Sequence, residues 1–304
     1  MELLMTLDKD RFDEYVAEVR TSFDRCLAEI KEELQIFPNA YCAKQISDYL
    51  EYIYWPARLM EYSYVLRIIE FYREGCNCMS SLNIVDLGCD PSMFPLIVAK
   101  KFQANVLGVD NDSELIRGLK SFRPFRKIGL LSADITSLPF DNSEFDVAYS
   151  VSVLEHIPQS KRLQAIREAL RVVKPEGFVI LTVDYRDLNL VSLILKTLSR
   201  LRVAFRFLRS TGVKNTVRAA LAPKPYSYRD LEYLSKVFGD SLVKGPKRAL
   251  SRLSLGKIRS FWNRFYRDDF SYDKKLGRDY TSVGIIFTNN EELKARLRRS
   301  SLGP

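Results

Sequence analysis

Long apolar runs and histidine are what this sequence of 304 residues has least of. No uninterrupted apolar segment approaches the roughly 18 residues that a membrane-spanning helix needs. The opening stretch, MELLMTLDKD, carries acids where a secretory signal would carry bases, and it lacks a long apolar stretch. These two absences predict a protein that is made and kept in the cytoplasm.

Cysteine is scarce too, with five residues, an odd number for a chain without an export signal. We therefore expect reduced thiols and no disulfide framework. Cys76 and Cys78 form a lone C-x-C with no second pair and no histidine nearby, so we predict no metal site. With 13 Gly, 12 Pro and 46% hydrophobic residues, fibrous, low-complexity and wholly disordered classes are excluded. The length suits one large domain with a full core.

Charge is distributed unevenly along the chain. From Tyr185 to the end there are 26 Lys or Arg against 10 Asp or Glu, a net charge of +16. The preceding 184 residues hold 21 bases and 28 acids, a net charge of −7. We expect the acidic and the basic part to meet different partners.

The first 80 residues have helical periodicity. Apolar side chains recur at threes and fours from about Asp8 to Phe37, and further helical stretches begin near Tyr41 and at Pro56. Seven aromatic residues lie between positions 41 and 64: Tyr41, Tyr49, Tyr52, Tyr54, Trp55, Tyr62 and Tyr64. Two interpretations are open, packing between helices and a lid over an organic substrate.

From Leu82 onward, short β-branched runs alternate with helical stretches. The predicted strands are Asn83–Leu87, Ala104–Asp110, Gly129–Asp134, Phe145–Tyr149 and Gly177–Val183. An amphipathic helix from Ser160 to Val173 precedes the fifth strand. Strict alternation implies parallel pairing with right-handed crossovers, and hence an α/β, doubly wound sheet. Ligands of such sheets bind beyond the carboxyl ends of the strands.

Aspartates close three successive predicted strands at Asp86, Asp110 and Asp134. A turn containing Gly88 follows Asp86, which lets a ligand approach the backbone, and the next helix offers free N–H groups at its N-terminus. Asp110 comes 24 positions after Asp86. A carboxylate there can accept hydrogen bonds from both hydroxyls of a ribose. Asp134, followed by Ile135, is placed to accept one from an adenine amino group.

These segments resemble class I S-adenosylmethionine-dependent methyltransferases of the small-molecule, type 11-like kind. The segments that carry the resemblance are Val85–Cys89, Gly108–Asp110, Asp134–Phe140, Phe145–Val147, Leu154–Ile157 and Leu170–Gly177. It covers Leu82 to about Tyr185, with weaker similarity at Tyr226–Gly239 and Ser282–Thr288. It implies a Rossmann-like sheet of seven strands, completed by a helix from Tyr226 and a last, antiparallel strand at Val283–Phe287.

The resemblance also implies S-adenosyl-L-methionine as the cofactor and the residues that bind it. Asp86 and Gly88 would shape the floor under the methionine part, and Asp110 would bind the ribose. The remaining implied cofactor-binding residues are Cys89, Asp90 and Asn111, Asp134 and Ile135 at the adenine, and Ser150 and Val151 facing the sulfonium.

Position 90 departs from the D-x-G-x-G pattern usual in the family, because Asp90 stands where the second glycine belongs. If that position needs positive φ, Asp tolerates it better than most residues, although at a cost. Its carboxylate would lie near the cationic groups of the cofactor, where it could assist binding or block the pocket. Ser92, at the third glycine position, has a small side chain.

Methyl transfer from a sulfonium requires alignment of the acceptor and exclusion of water, and an oxygen acceptor must also lose a proton. His156, the only histidine, follows the fourth strand and is the candidate base. The alternative is that it packs or caps the next helix. Glu155 is the weaker candidate, and we expect it to be solvated or paired with a base.

Residues 186–225 form an insertion after the fifth strand, with an apolar stripe from Val191 to Leu208, basic residues off the stripe, and Asp187 as its one acid. It is either a cap helix or a basic amphipathic helix at an anionic membrane. The segment Lys244–Arg267 interleaves bases and aromatics, as RNA-binding segments do. Because Ser150–Val153 does not resemble the proline-containing motif of base-amino methylases, nucleic acid is the less favoured substrate.

We therefore predict a cytoplasmic methyltransferase, with possible peripheral membrane contact, acting on a small or carrier- or lipid-linked organic acceptor, more readily at oxygen than at nitrogen or carbon. The expected organisation is a helical lid at 1–80, the cofactor-binding domain at 81–185 and 226–290, the basic insertion, and a flexible basic tail at 291–304. Two alternatives stay open: a non-catalytic binding protein that lost turnover through Asp90, and an RNA methyltransferase.

Overall fold

The computed structural model describes residues 9–36, 41–50, 56–75, 81–185, 226, 228–238 and 281–299. These residues build a six-stranded sheet with helices on both faces. The strands are β1 (Asn83–Leu87), β2 (Asn105–Asp110), β3 (Gly129–Ser132), β4 (Phe145–Val151), β5 (Val173–Tyr185) and β6 (Thr281–Phe287). The helices are α1 (Lys9–Ile36), α2 (Tyr41–Leu50), α3 (Pro56–Gly75), α4 (Phe94–Phe102), α5 (Ser113–Leu119), α6 (Gln159–Val172), α7 (Tyr228–Val237) and α8 (Glu291–Arg299), with 3-10 turns at Arg123–Lys127 and Leu154–His156.

The sheet has the order β3-β2-β1-β4-β5-β6. The first five strands pair in parallel, and β6 pairs antiparallel to β5, with Leu181 opposite Ile285. The order reverses between β1 and β4, which is the switch point where doubly wound sheets bind ligands. The predictions of an α/β doubly wound sheet and of an antiparallel last strand are confirmed. The described residues hold six strands, so the predicted count of seven is not confirmed.

The observed ends of β2, β3, β4, β5 and β6 differ from the predicted ones by one to four residues. β3 ends at Ser132, so Asp134 lies in the following turn and does not close its strand as predicted. The reason is local, because Asp134 accepts hydrogen bonds from the backbone and side chain of Thr136, which favours a turn. β5 begins at Val173, directly after α6, and its pairing with β4 is irregular between Phe145 and Val147.

Alternation along the strands divides the core into two layers. In β5, Phe178 and Ile180 are buried on the face covered by α1–α5, whereas Val179 and Leu181 are buried on the opposite face with α6 and α7. Both layers are fully buried, as expected for a parallel sheet with helices on both sides. The carboxyl ends of β1, β2 and β4 lie side by side at one edge of the sheet, between the two layers.

The N-terminal helices form part of the first layer. Phe23 of α1 is buried in it, and Lys101 of α4 forms an ion pair with Glu18 of α1 at 2.7 Å. Tyr49, Tyr62 and Tyr64 are buried as well, which supports the packing interpretation of these three aromatic residues. The side chain of Tyr41 and residues Tyr52, Tyr54 and Trp55 lie outside the described part of the chain.

Several predicted segments lie partly or wholly outside the described residues. The insertion 186–225 and the segment 244–267 belong to this group. Within 291–304, which we expected to be a flexible tail, residues Glu291–Arg299 form α8, and Leu293 is buried. Among the helices that are described, none combines the length and the apolar character that crossing a membrane requires.

Candidate cofactor and acceptor site

The loop between β1 and α4 forms the centre of the site. The N–H groups of Gly88 and Cys89 both donate to the carbonyl of Val109, at 2.8 and 2.9 Å, which fixes the loop against the end of β2. Gly88 has φ +85°, and a Cβ on it would lie 2.5 Å from Cγ2 of Val153. Glycine is therefore required here for two independent reasons, the left-handed backbone and the contact with Val153.

Asp90 adopts the conformation that the missing glycine would have favoured. Its φ is +44°, in the left-handed region that Asp tolerates better than most residues. Its N–H donates to Oδ2 of Asp110 at 3.0 Å, and its side chain is exposed. Residue 90 is thus exposed at the rim of the loop, where neighbouring atoms still partly desolvate its carboxylate.

Asp110 ends β2 beside this loop. Its Oδ1 accepts from the N–H of Asp112 at 3.0 Å, and its Oδ2 accepts from the N–H of Asp90. Each carboxylate oxygen has two lone pairs, so each can accept a further hydrogen bond, enough for two ribose hydroxyls. Asp112 itself caps α5 by accepting from Glu114 and Leu115, and Asn111 is exposed between the two aspartates.

Three carboxyl groups lie around the loop, close enough to disfavour one another's ionisation. Asp86 is 4% exposed and lies beside the hydroxyl of Tyr149. Burial, and then the charges of Asp110 and Asp90, raise the pKa of Asp86 well above its usual value. Desolvation and Asp110 raise the pKa of Asp90 to about 6, against the opposing charge of Arg58. Such a cluster is relieved by a cation, and the amino and sulfonium groups of S-adenosylmethionine are cations, so the residues fit this cofactor.

The turn after β3 holds Asp134 and Ile135, the two residues that we predicted to contact adenine. Oδ1 of Asp134 is occupied by the N–H and hydroxyl of Thr136, both at 2.8 Å, and these bonds lower the pKa of Asp134. The exposed carboxylate retains Oδ2 for an amino group. Ile135 is buried, with 8% of its surface exposed, in the core layer of α6.

Ser150 and Val151, at the end of β4, occupy different environments. Ser150 is buried, and its hydroxyl donates to the carbonyl of Leu87 at 2.7 Å, which ties β4 to β1. Val151 is half-buried, and its carbonyl lies 3.5 Å from Nη1 of Arg58. Of the two, Val151 is the residue that has surface left for a ligand.

His156 is exposed at the end of the 3-10 turn after β4. Partial desolvation and the positive charges of Arg58 and Arg162 lower its pKa, so the imidazole is neutral near pH 7. Its backbone N–H donates to the carbonyl of Val153. An exposed, neutral imidazole is able to accept a proton.

Glu155 corrects our expectation of a solvated or base-paired side chain. It is 2% exposed, Oε1 accepts from the N–H of Asp184 at 3.2 Å, and Oε2 has no hydrogen-bond partner among the described residues. Burial and the charge of Asp184 raise its pKa to about 8. The side chain is therefore a neutral carboxylic acid at pH 7, which makes it a hydrogen-bonding group between β4 and β5 and a poor proton acceptor.

The sequence interpretation missed the part of the site that comes from α3. Arg58 pairs with Glu61 at 2.9 Å, and Glu61 also accepts from the hydroxyl of Ser152 at 2.6 Å. Ser152 has φ +52°, directly after β4. The sequence carried no distinct signal for this pair, because Arg67 and Glu70 in the same helix have the same spacing and also form an ion pair.

Fold and loop geometry together define a doubly wound α/β domain, a class that binds ligands at the carboxyl edge of its sheet. Comparison with known proteins identifies the family of this domain, because residues 85–181 match the family described as methyltransferase domain. The resemblance to class I S-adenosylmethionine-dependent methyltransferases is thereby confirmed for this segment, and S-adenosylmethionine is the cofactor that such a domain takes.

Several proteins are similar to parts of this chain. A tRNA (carboxymethyluridine(34)-5-O)-methyltransferase of Arabidopsis thaliana is 41% identical over 68 residues, 22% of this chain and 17% of that protein. Phosphoethanolamine N-methyltransferase 1 of the same plant is 30% identical over 118 residues, 37% of this chain and 23% of that protein. A putative sarcosine dimethylglycine methyltransferase from Galdieria sulphuraria aligns over 77% of this chain and 88% of its own with 15% identity and a TM-score of 0.45. This chain thus spans less than a quarter of either Arabidopsis relative.

Proposed function

We propose that this protein is an S-adenosylmethionine-dependent methyltransferase that acts on a small or carrier- or lipid-linked organic acceptor, at oxygen. The observation that carries the proposal is the loop at Gly88 with Asp86 and Asp110 beside it, inside the segment that matches the methyltransferase family. The cofactor supplies an activated methyl group on its sulfonium.

The chain's own residues would bind and orient the reactants. Asp110 would hold the ribose hydroxyls, Asp134 the adenine amino group, and Asp86 and Asp90 the cationic methionine end. The neutral imidazole of His156 would take the proton from an acceptor hydroxyl at Nδ1 or Nε2. The partly exposed end of β4 at Val151 would form the boundary between cofactor and acceptor.

The proposal is tested by calorimetric titration with S-adenosylhomocysteine, the demethylated cofactor, followed by transfer of a radiolabelled methyl group from S-adenosylmethionine to a panel of hydroxyl, amine and carboxyl acceptors. We expect micromolar binding and label transfer to a hydroxyl compound. No heat at millimolar ligand would contradict the proposal. Binding without transfer to any acceptor would favour the non-catalytic alternative.

Replacing His156 by Gln should lower kcat for a hydroxyl acceptor at least about 100-fold, because the proton acceptor is lost while the side chain stays polar. KM should change little. The pH–rate profile of the wild type should rise with a midpoint below 6.5, and this limb should disappear in the variant. An unchanged profile would rule out His156 as the base.

The ionisation of Asp90 should make cofactor affinity depend on pH. The dependence should be stronger for S-adenosylmethionine, which carries a sulfonium charge, than for S-adenosylhomocysteine, which does not. Because the pKa of Asp90 is about 6, its carboxylate is ionised above that pH and neutral below it. Affinity for the sulfonium of S-adenosylmethionine should therefore fall as the pH drops from 8 to 5, by about 5-fold more than affinity for S-adenosylhomocysteine. In Asp90→Asn the ratio of the two dissociation constants should vary much less with pH. Titration calorimetry at three pH values measures this ratio, and an unchanged variation in Asp90→Asn would contradict the assignment.

A further inference from the structure

Two tyrosine hydroxyls from the N-terminal helices meet the cofactor loop in the interior of the protein. The hydroxyl of Tyr49 in α2 lies 2.7 Å from that of Tyr62 in α3, and these hydroxyls lie 3.0 and 3.3 Å from Oγ of Ser92. All three side chains are buried. Buried hydroxyl groups need partners, and here the partners come from three separate segments of the chain.

Ser92 links the two tyrosine hydroxyls to the loop Gly88–Ser92. Its Oγ accepts from the N–H of Phe94 at the start of α4, at 3.1 Å, and its own N–H donates to the carbonyl of Cys89. The rings of Tyr62 and Phe94 are stacked, with centroids 4.2 Å apart. The tyrosine pair therefore fixes both the end of the loop and the first turn of the helix that follows it.

The same two helices, α2 and α3, also contact the segment that follows β2 and the segment that follows β4. Nε2 of Gln45 in α2 lies 3.4 Å from Oδ2 of Asp112, whose N–H donates to Asp110. Glu61 in α3 holds Ser152 after β4. The N-terminal helices thus contact the methionine, ribose and acceptor sides together, although the family match begins only at residue 85.

We propose that Tyr49 and Tyr62 are positioning residues for the cofactor, which act through Ser92 on the loop Gly88–Ser92. The proposal rests on the proposed function, since it concerns the same cofactor. It makes α2 and α3 part of the cofactor site and assigns their aromatic residues a role other than a substrate lid. By linkage, a cofactor that binds better when the loop is fixed must also strengthen the docking of α2 and α3.

The test is the double variant Tyr49→Phe/Tyr62→Phe, which removes both hydroxyls together so that neither is left buried without the other. We expect the dissociation constant for S-adenosylhomocysteine to rise about 10-fold, with thermal unfolding still cooperative. The matched control is Tyr72→Phe, which removes a hydroxyl from the same helix where the ring packs on Phe178. The control should bind like the wild type.

Hydrogen exchange separates a positioning role from mere stabilisation of the fold. In the wild type, S-adenosylhomocysteine should slow amide exchange in Tyr41–Leu50 as well as in the loop, and in the double variant the effect on Tyr41–Leu50 should be lost. Ser92→Ala should weaken binding similarly and add little to the double variant, because both changes remove the same contact. Ser92→Ala also provides the test if the double variant does not fold.

Failure of the inference and failure of the proposed function give different results. If the wild type does not bind S-adenosylhomocysteine, the proposed function is wrong and the inference falls with it. If the wild type binds and the double variant binds equally well, or Tyr72→Phe weakens binding as much, only the inference is overturned. Exchange in Tyr41–Leu50 that does not respond to ligand in the wild type would overturn it as well.

Discussion

Replacing Asp110 by alanine should raise the dissociation constant for S-adenosylhomocysteine at least about 100-fold, because two charge-assisted hydrogen bonds to the ribose are lost. Two neighbouring carboxylates are not placed to replace it, since Asp112 is engaged in capping α5 and Asp86 is buried. Titration calorimetry on the full chain measures the change. Affinity within 3-fold of the wild type would show that the ribose lies elsewhere.

Two further variants keep this result interpretable. Asp141→Ala removes an exposed aspartate that precedes β4, and we expect wild-type affinity. Asp110→Asn retains one acceptor oxygen and should give a smaller loss, about 10-fold. Asp110 also accepts from the N–H groups of Asp90 and Asp112, so part of the loss in Asp110→Ala comes from a loosened loop. Asp110→Asn, which keeps the shape of the side chain, separates the two contributions.

The sequence was sufficient to predict the features that depend on local pattern. Alternating strands and helices fixed the class of sheet, and the order of Asp86, Gly88 and Asp110 placed the site at its carboxyl edge. The comparison with the glycine of the family pattern raised positive φ at position 90 as a condition, and the structure shows a φ of +44° there. These inferences succeed because strand period, turn chemistry and the spacing of the acids can be seen in the sequence without knowing how distant segments pack.

Contacts between segments that are distant in the sequence could not be predicted from local sequence patterns. Glu61 and Ser152 are 91 positions apart, and their hydrogen bond depends on how α3 lies on the sheet. Glu155 was expected in solvent because glutamate is rarely buried, yet its place between the ends of β4 and β5 buries it. Both cases concern charged groups whose environment is created by tertiary packing.

Two residues of the cofactor loop adopt the left-handed backbone conformation, which costs energy at Asp90 and not at Gly88. Gly88 and Asp90 both have positive φ, and both are held through bonds to the end of β2. A side chain at position 90 is tolerated because Asp adopts this conformation more readily than most residues and because residue 90 lies at the exposed rim of the loop. Position 88 differs, since a Cβ there would point into Val153. The same loop thus accepts the loss of one glycine of the family pattern and excludes the loss of the other.

Gly88→Ala should therefore lower the free energy of unfolding by about 3 kcal/mol, of which about 1–2 kcal/mol comes from the left-handed backbone and the rest from the contact with Val153. For a domain of this size the melting temperature should fall by roughly 6–12 °C. Affinity for S-adenosylhomocysteine should also fall, at least about 30-fold, because a shift of the loop displaces the N–H groups that bond to Val109.

The double variant Gly88→Ala/Val153→Ala separates the two sources of this loss. Val153→Ala removes both Cγ atoms that the new Cβ would meet, so the steric part should be relieved while the backbone cost of about 1–2 kcal/mol remains. The double variant should consequently be less destabilised than the sum of the single variants, with Val153→Ala alone as the control. Strict additivity in thermal or urea unfolding would show that Val153 moves aside freely, and the requirement for glycine at position 88 would then rest on its backbone conformation alone.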